Sequence, residues 1–526
     1  MIKNYFKIAF RNLSRNKVFS FINIFGLAVG LATCLLIMLY IFDERNYDQH
    51  HKDGDRIFRV ASKTGKGETW AALAAPLAQG MQNDLPEVEE VTRLLTFSDI
   101  ATMLMKYEHH SETRQFFETN GYYVDSTFFK LFTYNFIAGN AATALDEPNS
   151  MVISEQLAQK FFDKEDPVGK AIMITTPMGE FNYTVKGVFA TGKNKSHIPA
   201  NYFLSMRNTD MFNWVQAQTK WTNNNIFFTY VKLKEYTNPK VFEQKLNSFF
   251  DKHAGAEMKV AGYSKALFLQ PLKDIYLHSS IGNEIAANGN ITYLYILGSI
   301  AAFILLIACI NFMNLSTARS QRRAREVGVR KVMGAEKAAL VRQFLGESFL
   351  MCLMALLLAL VLAYMFLPVF NNITQKNMHP LDAPSLIFWI IGLTLLTGLL
   401  SGMYPAFYLA AFKPVAVLKG KIGNSFSAVA IRKGLVVFQF TISICLVLGA
   451  IVIWQQLKLF KNQDLGFNKA QQIVLPMQLG YKNAEANYTP LKNELLQNAS
   501  VRSVTCGSAY PGINNLTDML FYAEGK

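Results

Sequence analysis

The sequence predicts an α-helical membrane protein with an inserted α/β extracytoplasmic domain. Three observations predict it. Five apolar runs are each long enough to cross a bilayer, which needs ~20 mostly apolar residues. About 250 residues of mixed character separate the first two runs, and basic residues gather in three short stretches. The runs are 18–42, 291–318, 344–370, 384–412 and 434–457, and Glu347, at the start of the third, is their one charged residue.

Charged residues are 17% of the chain and hydrophobic residues 51%. Soluble domains carry about 25% charge. The basic stretches are residues 1–17, with five Lys/Arg and no acid; 317–343, with eight against two; and 412–433, with five against none. The rest of the chain holds 34 Lys/Arg and 36 acids, so the formal net charge of +14 comes from these stretches. They fall on one side if the five spans alternate. The positive-inside rule makes that side the cytoplasm, with a cytoplasmic N-terminus. No surplus charge is left on the large polar portion, so a nucleic-acid partner is not expected.

Residues 1–17 place Ile2, Phe6, Phe10 and Leu13 on one helical face and Lys3, Lys7, Arg11 and Arg15 on another. That pattern suits an amphipathic helix at the inner interface; an ordinary basic flank is the alternative. The first run is read as a retained span, 18–42, and not a signal peptide. It has 25 uncharged residues and no small-residue cleavage site after it.

The inserted domain, 43–290, alternates strand-like and helix-like stretches. Residues 183–189 and 226–233 read as strands. Ser154 is placed to cap a helix over 155–162 that stops before Asp166, Pro167 and Gly169.

The second half echoes the first. Arg15 and Lys17 precede span one as Arg432 and Lys433 precede span five. The sequence Arg56–Val60 is echoed by Gln472–Leu475, and Val88, Val91 and Thr92 by Val501, Val504 and Thr505, at offsets of 416 and 413. A near-constant offset points to a duplicated unit. Residues 458–526 then begin a second outside domain, and the second repeat is expected to be incomplete at Lys526.

Four of the five cysteines, Cys34, Cys309, Cys352 and Cys445, lie inside the runs, and Cys506 stands alone. They build no disulfide framework. The pairs His50–His51 and His109–His110 lack neighbouring ligand spacing and read as solvated loop histidines, so no metal site is expected. No catalytic constellation stands out, and no GxxxxGK[ST] phosphate loop occurs. No run carries a mid-membrane charge, which argues against an ion-coupled pathway.

Two segments carry the functional signal. Residues 319–343 form a basic loop between spans two (291–318) and three (344–370). There Val327, Val329, Val332 and Met333 interleave with the charges at helical spacing, and Gly334 suits a helix end. A short helix held between two spans is a lever that a partner could push; charges that only fix topology would not need the apolar residues. The second segment is the end of span four (384–412). Gly398 and Gly402 form a small-xxx-small pair for close helix contact, and Pro405 would kink the helix. Generic membrane packing is the alternative there. Residues 413–433 form a basic linker to span five (434–457).

The chain resembles the MacB/FtsX-type permeases of ABC transporters over nearly its whole length. The family's loop pattern matches Arg325, Glu326, Val327, Gly328, Val329, Arg330, Lys331, Gly334 and Ala335. Gln343–Leu345, Glu347, Ser348, Gly402, Tyr404, Pro405, Ala406 and Pro414 also fit. The inserted domain is similar to the family's periplasmic core domain at Phe128, Phe129, Gly139, Val152–Glu155, Asp166–Lys170 and Val185–Val188. The resemblance implies a non-catalytic transporter subunit of the inner (cytoplasmic) membrane. A separate cytoplasmic ATPase would drive it, binding the ATP, so the chain itself needs no cofactor. Arg325, Glu326, Gly328, Arg330, Lys331 and Gly334 would form the ATPase-coupling helix. Motion of the periplasmic domains (mechanotransmission) would serve export or efflux. The alternatives are an FtsX-like regulator of a cell-wall hydrolase and an antimicrobial-peptide sensing module. A periplasmic adaptor or substrate protein, besides membrane lipid, would then be a further partner.

Overall fold

The computed structural model describes residues 17–96, 103–109, 112–176, 179–192, 194–318, 327–380, 385–410, 426–466, 471–475 and 484–507. The chain divides into two units, residues 1–45 with 291–472 and residues 46–290 with 473–526. The amphipathic helix expected over 1–16 lies outside the described residues.

Among the described residues, five helices in the first unit are long and apolar enough to cross a membrane. They are Lys17–Arg45, Ile291–Ala318, Lys337–Thr374, Leu386–Ala410 and Phe426–Asn462, called here the first to fifth span helices. The protein is a multi-pass membrane protein. Three helices outrun their apolar segments. The first continues through Asp43 and Glu44 to Arg45, three residues past the expected end. The third begins at Lys337 within the expected loop, and the fifth at Phe426 within the expected linker. Helices continue into polar sequence where their side chains find partners, whereas an apolar run marks only the part that lipid requires.

The first, second and third span helices share a core of Leu27, Leu31, Cys34, Leu305, Cys309, Cys352 and Ala355. Gly30 lies so close to the second helix that an added Cβ would sit 2.9 Å from Ala308. The fifth helix is largely exposed, with Val437, Phe440, Val452 and Trp454 all open.

The second unit holds thirteen strands in one sheet among the described residues. In chain order these are β1 (Ile57–Thr64), β2 (Thr69–Trp70), β3 (Val88–Leu95), β4 (Met103–His109), β5 (Glu112–Glu118), β6 (Gly121–Val124), β7 (Phe136–Gly139), β8 (Ser150–Ser154), β9 (Ala171–Thr176), β10 (Gly179–Phe189), β11 (Tyr202–Ser205), β12 (Phe227–Leu233) and β13 (Lys265–Pro271). The order is β13-β1-β12-β3-β6-β11-β8-β10-β9-β4-β5, with β2 on β1 and β7 on β10. β8 and β12 are buried along their whole length, as expected of strands covered on both faces.

Ser154 caps the helix Glu155–Phe162, accepting from the Leu157 N–H at 3.2 Å. The sheet margins differ. At β13, Asn247 of the helix Pro239–Ala261 donates to the Leu267 carbonyl and accepts from its N–H, both at 2.8 Å. Glu243 accepts from the Leu269 N–H at 2.7 Å. These side chains take the place of a neighbouring strand. At β5 the sheet ends among the described residues, with Thr113, Gln115 and Phe117 exposed.

Two buried polar clusters lie in this unit. Arg59, fully buried in β1, donates to Glu284, to Gln270 at 2.6 Å and to Ser279 at 3.3 Å. Asp48, also fully buried, receives Ser196 Oγ at 2.8 Å and lies 2.9 Å from His197 Nδ1. His51 is buried as well. Its Nδ1 accepts the Thr133 N–H at 3.0 Å, and its Nε2 lies 3.5 Å from Asp48. His51 is therefore not the solvated loop histidine expected from the sequence: sequence spacing could not show that Asp48 and Thr133 would receive it. The side chains of His109 and His110 lie outside the described residues. No group of three or more His, Cys, Asp or Glu side chains among the described residues is arranged to hold a metal ion.

Val88 N–H donates to the Leu85 carbonyl at 3.1 Å and Val501 N–H to that of Asn498 at 2.9 Å, each just after a helix, Pro76–Asp84 and Ala484–Leu496. Residues 472–475 and 501–505 carry no regular element.

Candidate functional site

The segment between the second and third span helices is described from residue 327; Arg325 and Glu326 lie outside the described residues. Residues 327–332 are helical. The helix ends at Gly334, where φ is +91°. There the Ala335 N–H donates to the Arg330 carbonyl at 3.0 Å and the Gly334 N–H to that of Lys331 at 3.1 Å. This paired closure needs a left-handed residue, which glycine adopts without a Cβ clash.

The short helix has two unlike sides. Val327 is buried with Leu340 and Phe344 of the third span helix and Ala406, Leu409 and Ala410 of the fourth. Gly328 is buried too. Arg330 donates to Gln343 Oε1 at 2.6 Å, and Gln343 in turn to Glu347 at 3.3 Å. Lys331 donates to the Ala410 carbonyl at 2.7 Å. That carbonyl belongs to the last turn of the fourth helix, whose carbonyls lack an intrahelical donor. Pointing away are Val329, Val332 and Met333, which are 53%, 64% and 83% exposed. The structure thus brings Gly328, Arg330 and Lys331 together against the third and fourth helices, and leaves an apolar trio outward.

The fourth helix presents its small residues to the third. Thr394, Thr397, Gly398, Ser401, Gly402, Pro405 and Ala406 form its buried face. A Cβ added to Gly398 would stand 2.6 Å from the Phe349 ring, and one added to Gly402 2.7 Å from Ser348 Cβ. The hydroxyls on this face bond within their own helix, Thr397 to Leu393 at 2.7 Å and Ser401 to Thr397 at 2.6 Å. Such bonding satisfies them without water. Pro405 lies inside the helix and leaves the Ser401 carbonyl without its i+4 donor.

Gln343, Glu347 and Ser348 matter more here than their sequence context shows. Each is buried on the third helix. Beside the family match, their sequence signal is polarity at i, i+4 and i+5 at the edge of an apolar run.

Residues 20–249 match the family model of the MacB-like periplasmic core domain, and residues 298–414 match that of the FtsX-like permease C-terminal domain. The chain belongs to the MacB/FtsX-type permeases of ABC transporters. This permease is 25% identical over 304 residues to the uncharacterized ABC transporter permease YknZ of Bacillus subtilis, covering 55% of the chain and 64% of that protein. It is 24% identical over 275 residues to the macrolide export ATP-binding/permease protein MacB of Neisseria meningitidis serogroup A, covering 52% and 38%. It is also 24% identical over 298 residues to the pyoverdine export ATP-binding/permease protein PvdT of Pseudomonas syringae, covering 56% and 42%. The permease therefore spans less than two thirds of each of these relatives. Among solved structures, the periplasmic region of MacB from Actinobacillus actinomycetemcomitans is 15% identical at a TM-score of 0.30, covering 42% of this chain and 91% of that one.

Proposed function

We propose that this permease converts ATP hydrolysis by a separate cytoplasmic ATPase into motion of its inserted domain, in export or efflux. The observation that carries this reading is the two-sidedness of the 327–332 helix. Its inner side is bonded to the third and fourth span helices, and its outer side is an exposed apolar trio. An exposed trio on a basic helix suits a protein surface better than water. In this reading Val329, Val332 and Met333 touch the ATPase. Gly328, Arg330, Lys331 and Gly334 hold the helix to the spans, so that a push on one side moves the other. Arg325 and Glu326 complete the docking segment on the strength of the family pattern. The basic stretches put this side in the cytoplasm and the inserted domain outside the inner membrane. ATP binds the partner, and this chain works as a non-catalytic subunit.

The test is to purify the permease with its own host's ATPase and measure ATP hydrolysis by the complex in lipid. Changing Val332 or Met333 to Glu is expected to abolish permease-dependent hydrolysis while insertion and expression persist. Full stimulation by both variants would overturn the reading.

A further inference from the structure

The third span helix is joined to other elements at both of its ends. Near its start, Gln343 receives Arg330 and Leu340 packs on Val327. Its 38 residues span about 57 Å at ~1.5 Å each. At the far end the chain turns through Gln375, at φ +54°, and Lys376 doubles back. Lys376 Nζ donates to Asp43 Oδ2 at 2.7 Å and to the Glu44 carboxylate, and lies 5.0 Å from the centre of the Tyr40 ring. Asp43 and Glu44 sit in the last turn of the first span helix.

The turn itself is braced. Lys376 N–H donates to the Asn371 carbonyl at 3.0 Å. The Asn371 side chain both donates to and accepts from the Met378 backbone at 3.2 Å. Met378 is buried with Leu39 of the first helix, Leu367 of the third and Leu386 of the fourth.

Two features mark these charges as more than a surface pair. Their side chains are only 14%, 10% and 4% exposed for Lys376, Asp43 and Glu44. Carboxylates at a helix C-terminus also face the negative end of the helix dipole, where acids are disfavoured. The local sequence rule is broken, and Lys376, 332 residues away from Glu44, offsets the cost. Removing one partner of a buried set leaves an uncompensated charge.

We propose that Lys376 with Asp43 and Glu44 is an ion latch that carries displacement of the third span helix to the end of the first. The next residue but one after Glu44 is Asn46, where the inserted domain begins. The latch thus completes a route from the 327–332 helix, along one helix with Pro368 inside it, to the chain entering that domain. It rests on the ATPase coupling proposed above and names Lys376 as a positioning residue for it.

The experiment uses the permease–ATPase complex in lipid nanodiscs, without native cysteines, with spin labels at Arg45→Cys and Tyr293→Cys. These exposed positions lie at the neighbouring ends of the first and second span helices. The distance between labels is measured with and without ATP, and hydrolysis is measured on the same samples. The parent is expected to show a nucleotide-dependent distance shift. Lys376→Met should lose the shift and keep hydrolysis. Lys376→Arg should keep both. The exchange Asp43→Lys with Lys376→Asp, which again sets one cation against two carboxylates, should regain the shift. A Lys376→Met complex with the parent's shift overturns the latch, and so does a parent with no shift. Loss of hydrolysis together with the shift in Lys376→Met also overturns it, by making Lys376 a folding residue. Absent stimulation in the parent marks failure of the coupling reading itself, which the hydrolysis measurement reports separately.

Discussion

His197 Nδ1 lies 2.9 Å from Asp48 Oδ2 in a site closed to water, and His197 Nε2 lies 2.7 Å from the Tyr230 hydroxyl. Burial alone would raise the Asp48 pKa. The imidazoles of His197 and His51 outweigh it and hold the carboxyl well below the usual carboxylate range. Beside it, burial pushes His50 down to about 4, with His51 adding to the effect and Asp48 opposing it.

Both shifts make the inserted domain acid-sensitive, in separate windows. An unfolded histidine titrates near ~6.5, so between there and about 4 the unfolded chain takes up the proton before the folded one does. Stability therefore falls as pH drops through that window. The contribution of Asp48 is complete above ~4 and is lost as pH falls further. Residues 46–290, expressed without the spans, should unfold cooperatively, with a Tm that declines from pH 7 through 4 and on to 2. His50→Gln should flatten the upper part of the decline and leave the lower. Parallel curves for parent and variant would count against the assignment.

Under the proposed coupling, the 327–332 helix separates contact from transmission. Val332→Glu should weaken association with the ATPase by ~10-fold or more, the scale of losing a central apolar anchor. Arg330→Ala should leave association nearly intact and lower stimulated hydrolysis, because it cuts the bond to Gln343. Co-purification yield and ATP turnover read the two effects apart. Asn372→Glu is a suitable control, since Asn372 is exposed at the far end of the third helix. Asn371 is not, because its side chain braces Met378.

Gly398 and Gly402 are fixed by space. Gly402→Leu should destabilise the solubilised protein by about 1–3 kcal/mol, the usual cost of overpacking. Gly346→Leu should cost far less, since a Cβ there meets nothing within 4 Å. Thermal unfolding in one detergent compares them. Equal losses would deny the close approach.

Sidedness is testable by thiol labelling in a background without Cys34, Cys309, Cys352, Cys445 and Cys506. A cysteine at Ser14 should react with an impermeant reagent only in opened cells, and one at Lys66, exposed in the β1–β2 turn, in intact cells. Ser196 is a poorer position because its hydroxyl serves Asp48. Reaction of both from outside would refute a cytoplasmic N-terminus.

The spans were legible because lipid demands an unbroken apolar run, which needs no knowledge of neighbours. The Ser154 cap and the Gly334 stop were legible because each acts within a few residues. The orientation of the 327–332 helix was not. Its spacing showed a helix, yet whether valines or basic residues face inward depends on Gln343 and the Ala410 carbonyl. Arg59 was hidden for the same reason. It sits in a strand that reads as apolar, and its partners Gln270 and Glu284 come from more than 200 residues further along.

The unequal margins of the sheet limit how copies of the inserted domain can associate. Strand-by-strand growth into a fibre requires every added molecule to offer two receptive borders, one to join and one to extend. Here Asn247 and Glu243 close the β13 border with bonds that an incoming strand would have to displace. At the opposite margin Thr113, Gln115 and Phe117 of β5 are exposed, so pairing there is the easier contact between two copies. Pairing at that margin would use the same border of both copies, the self-complementary geometry of a two-fold contact.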